Sequence, residues 1–151
     1  MVIYISHSPE DTVALGEAWG REAASGLVIG LSGDLGAGKT QLAKGVARGL
    51  GVTERVHSPT FTLVNQYDGG GLPLFHVDLY RLETPEQIIA AGLEEYFHPA
   101  GVAVIEWAER WLGDSPDLKF KMQYSKYHFR RVLIETMNEN ERRITYEDFG
   151  A

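Results

Sequence analysis

Residues 27–51 read LVIGLSGDLGAGKTQLAKGVARGLG and join an apolar run, a glycine-rich loop and a helical pattern. The run over residues 27–31 is nearly continuously apolar, which is typical of a parallel strand buried on both faces. Residues 39–50 carry apolar side chains at helical spacing, and Gly51 is placed to end the helix. The loop between them, GDLGAGKT over residues 33–40, satisfies the pattern G-x-x-x-x-G-K-[ST] at every constrained position.

This strand–loop–helix unit has the chemistry of a phosphate-binding loop. Its glycines let several backbone N–H groups face a phosphate, and the helix N-terminus adds about half a positive charge. Lys39 is expected to reach the β- and γ-phosphates of a nucleotide, and the Thr40 hydroxyl to ligand Mg²⁺. The alternative is a glycine-rich turn without a ligand. Such turns usually lack the lysine or the hydroxyl residue, and both are present here.

Two acidic residues follow short apolar runs and are candidates for a metal-side carboxylate. Glu106 comes after VAVI, in the form of a Walker B strand with Glu in place of Asp, and Asp78 comes after LFHV. Open α/β sheets bind ligands at the carboxyl ends of their strands, so both acids would lie beside the loop if their strands flank it. Otherwise each is a solvated strand end. His76 and Asp78 alone are too few ligands for a metal site.

Composition limits the classes of function. The chain has 151 residues, 44% hydrophobic and 23% charged, which predicts a single globular domain over residues 1–151. A net charge of −7 argues against a broad nucleic-acid surface. The absence of cysteine excludes disulfides and thiolate sites. No apolar run approaches the ~18 residues of a membrane span, so we expect a soluble cytoplasmic protein without a membrane partner.

The remaining patterns predict the fold class. A strand is expected over residues 2–5, helices begin at Ser8-Pro9 and Thr84-Pro85, and residues 61–67 and 74–78 form a hairpin. In the tail, alternation over residues 118–124, 132–136 and 144–146 indicates antiparallel strands near the sheet edge. The prediction is an α/β, P-loop NTPase-like three-layer fold, with a mixed, mostly parallel central sheet and antiparallel strands at the edge.

Three further stretches carry a family resemblance: SPTFTLVN (residues 58–65), FHVDLYRL (75–82) and VIEW (104–107). Together with the loop, they resemble the small bacterial P-loop ATPases needed to form threonylcarbamoyladenosine in tRNA, the TsaE family, formerly YjeE. The order and spacing match from about residue 9 to residue 111, and the tail matches only in its general strand pattern.

The resemblance implies an ATP hydrolase that uses ATP and Mg²⁺. Lys39, Asp78 and Glu106 would be the catalytic residues, with Asp78 acting at the metal or positioning the attacking water. Thr40, Glu106 and Asp78 would lie at the metal. Ser58 and Thr60 would sense the γ-phosphate, Trp107 would pack near the nucleotide, and Asp11 and Thr12 would approach the base. The full nucleotide-binding set would be Gly33, Asp34, Gly36, Ala37, Gly38, Lys39, Thr40, Gln41, Ser58, Thr60, Trp107, Asp11 and Thr12.

The resemblance also implies partners. The family acts with a TsaD-type carbamoyltransferase and its TsaB-type paralogue, and the ATPase is thought to reset that complex between cycles. Two other functions stay open: a small-molecule kinase on a P-loop fold, and a non-enzymatic, ATP-gated binding module. No Asn-Lys-x-Asp guanine motif occurs, which favours ATP over GTP. The tail arginines are either solvated or contact phosphate or a partner; they are Arg130, Arg131, Arg142 and Arg143.

Overall fold

The computed structural model describes residues 1–33, 38–59, 62–112 and 128–149, with the backbone alone at Leu112. No helix in these ranges is long and apolar enough to cross a membrane. The elements in chain order are β1 (Val2–Ser6), α1 (Pro9–Glu22), β2 (Val28–Gly33), α2 (Lys39–Gly49), β3 (Val64–Tyr67), β4 (Leu74–Asp78), α3 (Pro85–Ala90), a 3₁₀ turn (Glu94–Phe97), β5 (Val102–Glu106), α4 (Glu109–Leu112), β6 (Phe129–Thr136) and β7 (Arg142–Phe149).

The strands form one mixed sheet in the order β1-β7-β6-β2-β5-β4-β3. The four central strands, β6, β2, β5 and β4, pair in parallel, and the outer pairings are antiparallel. The predicted fold class is therefore confirmed. That residues 1–151 form a single domain stays a prediction.

The expectation for the tail strands needs one correction. β6 does not lie near the edge, because it pairs in parallel with β2 on one side and antiparallel with β7 on the other. Its residues Val132 and Ile134 are buried in the main core. Alternating hydrophobicity reports a buried face, and it does not distinguish an interior strand from an edge strand. The alternation over residues 118–124 lies outside the described residues.

Helices cover both faces of the sheet and make three layers. On one face, α1 and α2 pack through Trp19, Leu42 and Val46 against the buried side chains of the central strands. On the other face, Ile88 of α3 packs in a second cluster with Ile105. Because consecutive residues of a strand point to opposite faces, the apolar run in β2 supplies both clusters.

The helix starts follow the predicted capping chemistry. The Ser8 side chain accepts a hydrogen bond from Asp11 N at 3.1 Å, and Thr84 accepts one from Gln87 N at 3.2 Å. The Gln87 side chain accepts from Glu83 N at 2.7 Å, whereas in a capping box it would accept from the backbone N–H of the N-cap residue, Thr84. These caps fix where α1 and α3 begin.

Glycines bring α1 and α2 into direct backbone contact. A Cβ built on Gly45 would lie 2.1 Å from Val13 O, and one on Gly16 would lie 2.4 Å from Leu42 O. Gly20 and Gly49 are equally close to the facing helix. Helix α2, which begins after the glycine-rich loop, is therefore held against α1 at a distance that only glycine permits.

The substitution Gly45→Ala tests this contact. In an unpacked helix alanine would be stabilising by about 1 kcal/mol. Here we expect a loss of about 1–3 kcal/mol in the free energy of unfolding, because the added Cβ forces the helices apart. Urea unfolding measures it, and Gly71→Ala is the control, since a Cβ there meets nothing within 4 Å. Equal or higher stability of Gly45→Ala would contradict the contact.

Candidate nucleotide-binding site

Parallel pairing brings the predicted acids together beside the loop. β4 and β5 pair Asp78 with Glu106, and β2 and β5 pair Leu31 with Glu106. β2 ends at Gly33, two residues further on. The carboxyl ends of the three strands therefore lie at one edge of the sheet, where α2 begins.

Glu106 is buried and held by two side chains. The Thr40 hydroxyl donates to its carboxylate, 3.3 Å from Oε1 and 3.4 Å from Oε2. His76 Nε2 contacts Oε2 from the neighbouring strand. Only 4% of Glu106 is exposed. A hydroxyl and a carboxylate in contact offer oxygen ligands of the kind that Mg²⁺ prefers, so the residues present fit this metal.

Asp78 lies beside this pair and is also buried, with 4% of its surface exposed. Its Oδ1 accepts a hydrogen bond from Tyr80 N at 2.9 Å, and its Oδ2 accepts one from Ser58 Oγ at 3.3 Å. Burial raises the pKa of Asp78, the bond from Tyr80 N opposes that rise, and the charge of Glu106 adds to it. Ser58 thus connects the loop after α2 to the strand-end acids.

Lys39 lies at the start of α2 and is 5% exposed. Its Nζ donates to Gly33 O at 2.5 Å and lies 4.0 Å from the centroid of the Trp107 ring. Trp107 has a positive φ of 61°, which is uncommon for a bulky residue. It follows Glu106 directly and packs against Tyr80, with ring centroids 5.1 Å apart and the ring planes at 48°. The lysine is therefore held between the Gly33 carbonyl and the Trp107 ring.

These side chains line a cavity of about 480 Å³, within the usual range for small-molecule sites. The predicted residues that line it are Thr12, Gly38, Lys39, Thr40, Gln41, Ser58, Asp78, Glu106 and Trp107. The start of α1 forms one wall and the turn between β6 and β7 forms another. The geometry thus joins a loop lysine, a hydroxyl–carboxylate pair and an aromatic ring in one concave site.

The remaining predicted residues are not among the described residues that line the cavity. Gly33 ends β2 and contributes its carbonyl to Lys39. Asp11 is not among the described residues lining the cavity, and its carboxylate accepts a hydrogen bond from His7 N at 2.9 Å. Asp34, Gly36, Ala37 and Thr60 lie outside the described residues.

Sequence reasoning missed several residues of the cavity wall. In the sequence, Ser8 and Pro9 indicate only a helix start, and Tyr80 stands only within the FHVDLYRL stretch, yet all three line the cavity. Glu139 and Asn140 belong to the turn between β6 and β7 and carry no recognisable motif. The turn lies beside α1 because β7 pairs with β1. These two strands are near opposite ends of the sequence, so no local pattern could predict their pairing.

The tail arginines divide into two groups. Arg142 lines the cavity, and its guanidinium donates to Asn138 O at 2.8 Å. Arg130 pairs with Asp148 at 2.6 Å, and Arg143 pairs with Glu135 at 3.0 Å. These two and Arg131 are not among the described residues that line the cavity. Only Arg142 is therefore placed beside a nucleotide-sized space.

The fold and this cavity define a protein of the P-loop NTPase-like class. The family model for "Threonylcarbamoyl adenosine biosynthesis protein TsaE" matches residues 6–141. The "tRNA threonylcarbamoyladenosine biosynthesis protein TsaE" of Bacillus subtilis is 40% identical over 143 residues, 95% of this chain and 83% of the relative. That of Treponema pallidum is 44% identical over 113 residues, 75% and 83% of the two chains. The chain belongs to the TsaE family, which confirms the resemblance.

A solved structure agrees with this assignment. The crystal structure of YdiB from Bacillus subtilis superposes with a TM-score of 0.74 at 35% sequence identity. The match covers 99% of this chain and 86% of YdiB. The fold of this chain is therefore similar to one known by experiment.

The raised pKa of Asp78 predicts a pH-dependent effect of Asp78→Asn. Because the pKa of Asp78 is higher in the folded protein than in the unfolded chain, the protonated carboxyl favours the folded state. This contribution to the free energy of unfolding is present below the ordinary carboxyl pKa and is lost as the pH rises. We therefore expect Asp78→Asn to unfold at higher urea than the wild type at pH 7, with the difference shrinking toward pH 4. The measurement is urea unfolding in EDTA.

Asp148→Asn is the matched control, for which we expect a change in stability of the opposite sign at pH 7. The hydrogen bond from Arg130 lowers the pKa of Asp148, so this carboxylate stabilises the fold at neutral pH. We expect Asp148→Asn to be less stable than the wild type at pH 7, again with a smaller difference at pH 4. A loss of stability in both variants at pH 7 would contradict the assignment for Asp78.

Proposed function

We propose that this protein is a Mg²⁺-dependent ATPase that supports N6-threonylcarbamoyladenosine modification of tRNA by acting on a TsaD–TsaB-type complex. One observation carries the proposal. The Thr40 hydroxyl contacts the Glu106 carboxylate at the start of the loop helix, with Lys39 in the same cavity. A lysine, a metal-side hydroxyl and a strand-end carboxylate are the parts that P-loop enzymes use for phosphoryl transfer.

Each residue has a proposed role. Lys39 neutralises the β- and γ-phosphates, and Thr40 and Glu106 hold Mg²⁺. The ion, when bound, supplies positive charge that offsets the charge developing on the phosphates. Asp78 would either lie at the metal or accept a hydrogen bond from the attacking water. Its burial beside Glu106 supports either role.

The remaining predicted residues position the nucleotide. We propose that Ser58 and Thr60 respond to the γ-phosphate, and the hydrogen bond from Ser58 to Asp78 supports a link between Ser58 and the strand-end acids. Trp107 packs near the nucleotide, and Thr12 lies in the α1 wall of the cavity. Asp11 is proposed to approach the base by family resemblance alone.

The proposal for pathway and partners rests on the family. The relatives are named for tRNA threonylcarbamoyladenosine biosynthesis. A net charge of −7 agrees with a protein partner better than with a direct grip on tRNA. We accordingly propose a TsaD-type carbamoyltransferase and a TsaB-type paralogue as partners, in the cytoplasm.

Two substitutions separate nucleotide binding from hydrolysis. Removing one preorganised charge or donor from a catalytic site costs about 10²–10³-fold in rate. We expect Lys39→Ala to lose both ATP binding and turnover. Glu106→Ala should lose turnover on this scale while retaining measurable ATP affinity. Steady-state ATPase assays and calorimetric ATP titrations measure these effects.

Lys44→Ala is the control for the lysine substitution. It removes the same side chain from the same helix, and Lys44 is not among the described residues that line the cavity. Its ATPase rate should match the wild type. Wild-type activity in both Lys39→Ala and Glu106→Ala would contradict the proposed site.

Adding the partners tests the coupling to tRNA modification. We expect the ATPase rate of the wild type to rise severalfold with the TsaD-type and TsaB-type proteins, and this rise to vanish in Glu106→Ala. A rate that the partners leave unchanged would break the proposed coupling. ATP-dependent partner binding that survives in Glu106→Ala, without turnover in the wild type, would instead favour an ATP-gated binding module.

A further inference from the structure

His76 is fully buried in β4 and contacts the carboxylate of Glu106. Its Nε2 meets Glu106 Oε2, while its Nδ1 is buried and has no hydrogen-bond partner within the described ranges. A neutral imidazole donates from one nitrogen and accepts at the other. Since an ionised carboxylate only accepts, Nε2 is the donor in this contact, and Nδ1 is left without a hydrogen bond among the described residues.

Packing alone does not account for a histidine at this position. An unsatisfied buried acceptor is unfavourable, and an apolar side chain of similar size would avoid it. The strand neighbours on both sides are apolar, Phe75 and Val77. The polar contact with Glu106 is thus the interaction that an apolar residue in this position would not provide.

The contact fixes how the Glu106 carboxylate is oriented. The Thr40 hydroxyl lies 3.3 Å from Oε1, and His76 holds Oε2. Rotation about the last torsion of a glutamate is broad when nothing holds it. With His76 holding one oxygen, the carboxylate stays turned toward Thr40. Partners behind a metal ligand commonly change metal affinity or activity 10–100-fold when they are removed.

We propose that His76 is a positioning residue, whose Nε2–H holds the Glu106 carboxylate toward Thr40 and thereby sets the affinity for Mg²⁺ in the nucleotide-bound protein. This inference rests on the proposed function, because it assigns the hydroxyl–carboxylate pair to Mg²⁺. His76 acts through Glu106 and does not itself contact the metal or the phosphates.

Two amide substitutions and one apolar substitution test the role. The amide of His76→Gln can place a donor near the position of Nε2, whereas the shorter His76→Asn cannot reach Glu106. His76→Leu removes both ring nitrogens. We expect the apparent Mg²⁺ dissociation constant to rise about tenfold or more in His76→Leu and His76→Asn, and much less in His76→Gln.

Isothermal titration of Mg²⁺ into the protein saturated with a non-hydrolysable ATP analogue gives this constant without turnover. Analogue affinity in EDTA should stay close to the wild type in all three variants. The melting temperature of each variant is measured alongside, because loss of the Nε2 contact leaves Glu106 Oε2 buried without that partner. Leu74→Val is the control, since Leu74 is buried on the same strand and the same face, two residues earlier.

The outcomes separate this inference from the proposed function. Wild-type Mg²⁺ affinity in His76→Asn would overturn the positioning role, as would an equal shift in Leu74→Val. If His76→Leu does not fold, the comparison of His76→Gln with His76→Asn decides, and equal affinities in those two would overturn the role. A wild-type protein that binds no Mg²⁺ with the analogue would overturn the proposed function itself.

Discussion

The Thr40 hydroxyl and the Glu106 carboxylate meet because β2 and β5 run parallel and end at the same edge of the sheet. The same pairing of β5 with β4 sets Asp78 beside Glu106. Side chains alternate between the two faces of a strand, so a slip of one residue in either pairing would turn an acid to the opposite face. The chemistry of the site therefore depends on sheet register more than on any single contact within the cavity.

Helix packing extends this constraint to the wall of the cavity that α1 forms. The glycine contacts hold α1 against α2, and α2 begins at Lys39. The first turn of α1, which includes Thr12, thereby forms a wall of the same cavity. A larger residue at Gly16 or Gly45 would push α1 away from the loop helix. Fold stability and cavity shape are consequently coupled through the helix interface.

The sequence predicted the parts of the site that depend on local chemistry. The loop motif, the capped helices and the acids at strand ends could be identified because each pattern lies within a few neighbouring residues. Longer-range features could not be identified in this way. His76 was discounted because a pair of metal ligands is too few, and its contact with Glu106 joins residues 30 positions apart. The interior position of β6 likewise depends on pairing with β2, about 100 residues earlier in the chain, which alternation does not encode.

The buried polar groups at this edge of the sheet oppose folding. Lys39, Asp78 and Glu106 are each nearly inaccessible, and the raised pKa of Asp78 shows that burial and the nearby charge of Glu106 disfavour its ionised form. An apolar set of the same size would avoid this cost. A divalent cation would relieve the repulsion between the two carboxylates, and binding that favours the folded state adds to its stability. The arrangement is hence better explained as a site selected for a cation and a polyanion than as a device for stabilising the fold.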